Sequence, residues 1–266
     1  MQLFDEKAEV IGNVRLSERI YLMGIYAPRT AEAIRPGQFV HLSVSNTTGH
    51  ILRRPFSIYS ADASQGVIDI LYQVIGAGTD CMAHWREGHR LDMISPIGRG
   101  WRYPAGTQRA LLVGGGVGAA PLFMLCKDLV GRGIHTDVVL GASTADALVC
   151  RGRYESLASD ILRLSYSTDD GTLGRAGFCT SLVEDALQAS RQSARPYDYI
   201  GVCGPEPLMR AVAGMAQDNG ITCEASLERR MACGIGACLS CVVDTLGGKR
   251  RACVDGPVFE TREILW

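Results

Sequence analysis

Residues 110–121 read Ala110-Leu111-Leu112-Val113-Gly114-Gly115-Gly116-Val117-Gly118-Ala119-Ala120-Pro121. Four apolar residues in a row suit a short strand buried on both faces, and the glycines after them end it. A helix is expected from Pro121 to about Val130. Gly114-x-Gly116-x-x-Ala119, with a buried strand before it and a helix after it, fits the dinucleotide-binding fingerprint. Glycine lets the backbone approach a pyrophosphate, whose charge a helix N-terminus stabilises. Tight strand–helix packing is the other reading of the same glycines.

The surrounding sequence repeats this grammar. Further apolar strands are expected at Val138-Val139-Leu140 and at Tyr199-Ile200-Gly201-Val202. Helices are expected over Phe178–Ala189 and Glu206–Asn219, the second stopped by Gly220. Strands alternating with helices imply a parallel α/β sheet. No Asp or Glu at the usual ribose position is evident, because the second strand runs into Gly141-Ala142-Ser143-Thr144 with Asp146 beyond. The pattern leaves NAD against NADP open.

Upstream, the first hundred residues alternate as β-strands do, in Val40, Leu42 and Val44 and again in Val67, Ile68, Ile70, Leu71 and Val74. Turn signals at Pro36-Gly37 and Gly76-Ala77-Gly78 separate the runs. This predicts an antiparallel barrel with one helix, Asp80 to Arg86. Downstream lie a cysteine cluster and a hairpin signal at Gly247-Gly248. The expected division is a β-barrel domain at 1–104, an α/β nucleotide domain at 105–222 and a small cluster domain at 223–266.

Composition sets limits on function. The chain has 266 residues, 47% of them hydrophobic, and a formal net charge of −1. Such a balance gives no electrostatic footprint for nucleic acid. The start, Met1 to Lys7, does not read as a secretory signal, and no apolar run approaches a membrane span. A soluble cytoplasmic protein is expected.

Of ten cysteines, Cys81, Cys126, Cys150, Cys179, Cys203 and Cys223 are scattered, in the manner of small buried hydrophobes. The other four form Cys233-x4-Cys238-x2-Cys241-x11-Cys253. That spacing is the plant-type [2Fe–2S] pattern, and Gly234 and Gly236 would let backbone N–H groups approach cluster sulfides. A turn at Gly247-Gly248 would return Cys253 beside Cys241. Structural zinc competes, although zinc ribbons usually pair two separated C-x2-C knuckles. Four free thiols are the plainest alternative.

Two shorter motifs complete the set. In Arg53-Arg54-Pro55-Phe56-Ser57, an inward arginine would need an anion, and a guanidinium suits a phosphate. A solvated edge strand broken by Pro55 is the competing reading. Cys203-Gly204-Pro205 ends a buried strand at the edge where ligands of α/β sheets bind, and a buried Cys before a turn is equally compatible.

Taken in order, these motifs resemble the ferredoxin–NADP reductase superfamily. Arg54, Phe56 and Ser57 match its flavin strand, and Cys203, Gly204, Pro205 and Met209 match its nicotinamide motif. The run Ser226-Leu227-Glu228-Arg229-Arg230-Met231-Ala232-Cys233-Gly234-Ile235-Gly236-Ala237-Cys238, and the ending Cys253-Val254-Asp255-Gly256-Pro257-Val258-Phe259 with Trp266 last, are similar to the electron-transfer subunits of NAD-dependent dihydroorotate dehydrogenases. The resemblance implies that Arg54, Pro55, Phe56 and Ser57 contact FAD, with Arg54 at its pyrophosphate and Ser57 near the flavin N5. It implies that Leu71, Tyr72 and Gln73 line the flavin and that Gly78 and Thr79 lie over its phosphates. Gly114, Gly115, Gly116 and Gly118 would form the NAD site with Cys203, Gly204 and Pro205. Cys233, Cys238, Cys241 and Cys253 would ligate the cluster. The four ligand positions match the family, and Ser240 stands where glycine is common.

The implied function is that of an oxidoreductase subunit in pyrimidine biosynthesis. A separate FMN-containing catalytic subunit would oxidise dihydroorotate. Its electrons would pass through the [2Fe–2S] cluster to FAD and then to NAD⁺, in a heterotetramer with two copies of each subunit. The alternatives are the small subunit of another flavin/iron–sulfur complex, such as NADH-dependent ferredoxin–NADP reductase or sulfide dehydrogenase, whose relatives often carry Asp for one cluster Cys, and a non-enzymatic zinc module on a nucleotide-sensing protein.

Overall fold

The computed structural model of the chain describes residues 3–44, 52–157 and 159–266. Phe4–Arg15 (β1), Ile20–Tyr26 (β2), Phe39–Leu42 (β3), Arg54–Ser57 (β4), Ser60–Asp62 (β5), Val67–Gln73 (β6) and Arg90–Ile97 (β7) pair antiparallel in the order β4-β3-β7-β1-β2-β6-β5. β4 and β5 are the two ends of that order, yet only Ile58 and Tyr59 separate them, so the sheet must curl until its edges approach. Both linking residues are buried. The strand from 54 to 62 therefore breaks at a corner. Inward residues such as Val10, Met23, Ile25, Val40, Leu42, Ile68, Ile70 and Met93 fill the interior.

Two helices accompany this sheet, Pro28–Ala33 (α1) and Ala77–Ala83 (α2). Sequence pattern predicts only the second, and three residues too late. The hydroxyl of Thr79 accepts from the N–H groups of Ile75 and Gly76, at 3.0 and 3.3 Å, which starts the helix early. α1 has no local signal beyond Pro28. Its first N–H groups, those of Arg29 and Thr30, donate to the buried carboxylate of Glu6 on β1, both at 3.0 Å.

The second sheet is parallel through Arg109–Gly115 (β8), His135–Ala142 (β9), Leu162–Thr168 (β10), Arg175–Ala176 (β11), Tyr199–Cys203 (β12) and Thr222–Ser226 (β13), in the order β11-β10-β9-β8-β12-β13. Every residue of β12 is buried, as expected of a central parallel strand. The helices are Ala120–Gly131 (α3), Arg151–Glu155 (α4), Thr180–Arg191 (α5) and Glu206–Asp218 (α6). A hairpin follows, Val242–Thr245 (β14) with Gly248–Arg251 (β15), and Val258–Glu260 (β16) then joins β13 antiparallel.

The contacts divide the chain into two compact units, Met1–Gly100 with Glu228–Pro257, and Trp101–Leu227 with Val258–Trp266. The expected boundaries at 104/105 and 222/223 differ from this division. Buried Cys223 and Ala225 belong to β13, so the sheet claims the segment up to Ser226. Among the described residues no helix is long and apolar enough to cross a membrane.

Candidate functional site

Three groups of predicted residues are brought together locally. In the first unit, Arg53 and Arg54 part company at the start of β4. Arg53 donates to the Asp92 carbonyl at 2.7 Å and lies 3.6 Å from the Asp5 carboxylate. Arg54 turns instead toward α2, where a Cβ added to Gly78 would lie 3.2 Å from its Nε. A guanidinium thus sits beside the turn that Thr79 closes. Phe56 of β4 and Tyr72 of β6 meet edge to face, ring centres 6.1 Å apart. Leu71 and Tyr72 are buried and Gln73 is exposed, while Pro55 and Ser57 are half-buried along β4.

Sequence reasoning missed Asn13 on β1. Its Nδ2 donates to the carbonyls of Met82 and Trp85, at 2.8 and 3.2 Å, and its Oδ1 accepts from the Tyr72 hydroxyl at 3.0 Å. One amide therefore ties the C-terminal end of α2 to the aromatic residue on β6. Burial pushes the Tyr72 phenol above its ordinary pKa, so it stays a donor.

In the second unit, β8 and β12 are neighbours with Gly114 opposite Cys203, which sets the two nucleotide motifs side by side at the C-terminal edge of the sheet. Their closeness is steric. A Cβ at Gly118 would lie 2.6 Å from the Gly204 Cα and 2.7 Å from the Cys203 carbonyl oxygen, and one at Gly115 would lie 3.0 Å from the Pro205 ring. Gly116, at φ +57°, opens a short 3-10 turn, Gly116–Ala119, between β8 and α3. The buried Tyr154 hydroxyl donates to the Ala119 carbonyl at 2.7 Å and holds the end of that turn. The Cys203 thiol faces the Ser226 carbonyl at 3.6 Å. Gly114, Gly115 and Gly118 are buried in this packing, with the Leu208 side chain over Gly115, and Gly116 and Val117 are the part-exposed residues of the turn through which a phosphate group could approach its backbone.

The cysteine cluster returns to the first unit. Val242 pairs with Arg251 in the hairpin, which places Cys241, just before β14, beside Cys253, just after β15. Their sulfurs are 3.3 Å apart and both residues are buried. Cys233 and Cys238 form a second pair, the Cys238 N–H lying 3.4 Å from the Cys233 Sγ. Burial raises the Cys233 thiol, but the N–H groups of Ile235, Cys238 and Ala237 outweigh it and bring the pKa down to about 6. Cys253 moves the other way, up to about 12, through burial and the neighbouring Cys241.

The donor set fits a [2Fe–2S] cluster. Such a cluster takes two thiolates at each iron, which two separate pairs supply, and it is stabilised by N–H groups aimed at sulfur. The loop is clasped from below by Arg251, which donates to the Gly236 carbonyl at 3.3 Å and pairs with Asp255 at 3.3 Å.

Comparison with known proteins identifies the two domains. Residues 7–103 match the oxidoreductase FAD-binding domain, and residues 228–265 match the iron–sulfur cluster binding domain of dihydroorotate dehydrogenase B. The chain is 34% identical over 269 residues to the dihydroorotate dehydrogenase B (NAD(+)) electron transfer subunit of Desulforamulus reducens, covering 100% of this chain and 99% of that one. It is 35% identical to the protein of the same name from Geobacillus thermodenitrificans, with 98% of both covered. Among solved structures, one of an NADH-dependent reduced ferredoxin–NADP oxidoreductase superposes with a TM-score of 0.85 at 29% identity, covering 97% of this chain and 89% of that one. The chain belongs to the family of dihydroorotate dehydrogenase B (NAD(+)) electron transfer subunits.

Proposed function

We propose that this chain carries electrons from a separate dihydroorotate-oxidising subunit to NAD⁺, using a [2Fe–2S] cluster and FAD held at the residues described above. The observation that carries the reading is the arrangement of four cysteines as two pairs, one in the loop before the hairpin and one flanking it, in the same compact unit as the flavin strand. When bound, a cluster handles single electrons, nicotinamide takes hydride, and a flavin exchanges with both. Cys233, Cys238, Cys241 and Cys253 hold the cluster as thiolates. Arg54 meets the FAD pyrophosphate as a charge-assisted donor, while Arg53, already engaged with Asp92 and Asp5, does not. Phe56, Leu71 and Tyr72 exclude water from the flavin, with Pro55, Ser57 and Gln73 beside them and Gly78 and Thr79 at its phosphates. Gly114, Gly115, Gly116 and Gly118 admit the NAD(H) pyrophosphate, with Cys203, Gly204 and Pro205 at the nicotinamide.

The dihydroorotate chemistry belongs to the partner, an FMN-bearing catalytic subunit present as two copies with two of this chain. Cys238 is exposed, and so are its neighbours Ile235 and Leu239, at 51% and 61%. That apolar rim around a ligand suits a protein contact across which electrons enter. The small subunit of an NADH-dependent ferredoxin–NADP oxidoreductase is the second reading, favoured by the 0.85 superposition. Mixing the purified chain with the FMN subunit and following NAD⁺ reduction by dihydroorotate tests the proposal. Reduction is expected only with both present. Turnover of dihydroorotate by this chain alone, or a reconstituted pair that never reduces NAD⁺, would overturn it.

A further inference from the structure

His41 lies in the middle of β3, opposite Pro55 of the flavin strand, and is completely buried. Neither ring nitrogen has a hydrogen-bond partner. A buried polar atom left unpaired costs about 1–3 kcal/mol, so such a group calls for an explanation. The surroundings of the ring supply one. A Cβ added to Gly234, at φ +70°, would lie 2.5 Å from the His41 Nδ1, so the ring packs directly on the cluster loop. The peptide groups around the imidazole are those of Arg53, just before the flavin strand, and of Cys233, a cluster ligand.

We propose that His41 is a positioning residue for the cluster: wedged between the flavin strand and the Cys233–Gly234 peptide, it seats the ligand loop on the barrel, and its Nδ1–H, aimed at that peptide, stabilises the reduced cluster. The inference rests on the assignment of the four cysteines to a [2Fe–2S] cluster. A donor near a ligand favours the state with the extra negative charge, and hydrogen bonding around the sulfurs is one of the levers on cluster potential. Gly234 is required on the other side of the contact, since any side chain there would occupy the position of the ring.

Two variants separate the donor from the packing. Asn places an amide nitrogen where Nδ1 stands, whereas Leu fills similar space with no donor. Iron and sulfide analysis of the unaltered holoprotein comes first, because a content other than two of each would remove the cluster assignment itself. Redox titration of the cluster by electron paramagnetic resonance then reads the effect. His41→Leu is expected to change the reduced-to-oxidised ratio at fixed potential roughly tenfold toward oxidised, about 59 mV for a one-electron couple, with His41→Asn restoring most of it. A Leu variant with the original potential, or an Asn variant as low as Leu, overturns the donor role. The seating role is read from cluster occupancy in a double-mutant cycle. Gly234→Ala should lose most of its cluster, and adding His41→Ala should recover part of it. Equal loss in both backgrounds means that the contact does not seat the loop.

Discussion

The glycine loop at 114–118 and the cysteine loop at 233–241 both lean on glycine, but for different reasons. The first is fixed by its neighbours. It leaves the end of a buried strand, presses on Gly204 and Cys203, and is held at its far end by Tyr154. The second has no helix or strand from Leu227 to Cys241, and within it Leu239 is the one non-glycine residue at positive φ among the described residues, at φ +58°. It is clasped by Arg251 below and His41 behind. One loop is set by packing before any ligand arrives, and the other is organised by the group it binds. Binding free energy at such a site is also folding free energy.

The largest effect is expected at Cys238. Cys238→Ala removes the exposed member of the Cys233–Cys238 pair, and we expect complete loss of the cluster's visible bands, with rapid proteolysis confined to residues 229–241. FAD and NADH binding should persist. Retention of two irons and two sulfides, or a dominant zinc content in the unaltered chain, would contradict the assignment.

Arg54 tests an intermediate case, a turn that Thr79 closes and beside which the arginine donates to a backbone carbonyl, that of Leu52 at 2.6 Å, and to no carboxylate among the described residues. Arg54→Ala should weaken FAD binding by ~1.5–3 kcal/mol, roughly ten- to hundredfold. Arg53→Ala should leave it nearly unchanged, since that side chain is spent on Asp92 and Asp5. Equal FAD retention in the two variants, measured by fluorescence titration of the stripped protein, would remove Arg54 from the flavin site.

Gly118 probes the packed loop in turn. A methyl group there meets backbone on Gly204 and Cys203, which cannot move as a flexible side chain would. Overpacking of this kind costs ~1–3 kcal/mol. If it falls on the loop, NADH should bind roughly tenfold more weakly, with the cluster and FAD spectra unaltered. A matching loss of cluster would mean that the two loops are not independent.

What could be read in the sequence follows from where the partners lie. That Cys233, Cys238, Cys241 and Cys253 come together was legible, because the spacing and the turn at Gly247-Gly248 already pointed to it. Gly114–Gly118 was legible because strand, turn and helix adjoin in the chain. β6 and α6 were legible from periodicity. The α1 helix was not, since Glu6 caps it from another strand, and neither was β13, whose pairing with β12 decided the unit it joins. His41 is a single histidine in an apolar strand and becomes informative only once Gly234 is seen against it.

Asn13 has the same character, a polar residue in a strand whose partners lie 59, 69 and 72 residues away, and it supports the smallest of the expected effects. Its amide holds α2 through two carbonyls and orients Tyr72 through its oxygen, so it acts on the flavin only through those elements. Asn13→Ala removes these bonds at a net cost of about 1 kcal/mol, roughly fivefold in FAD affinity. Asn13→Asp is the sharper variant. It keeps the acceptor for Tyr72 but turns a carboxylate oxygen toward the Met82 and Trp85 carbonyls, so repulsion adds to the lost donors. FAD should therefore bind more weakly to the Asp variant than to the Ala variant, with iron and sulfide content unchanged in both. The reverse order would mean that the amide does not tie α2 to β6, and that α2 keeps its place over the barrel by the packing of Met82 alone.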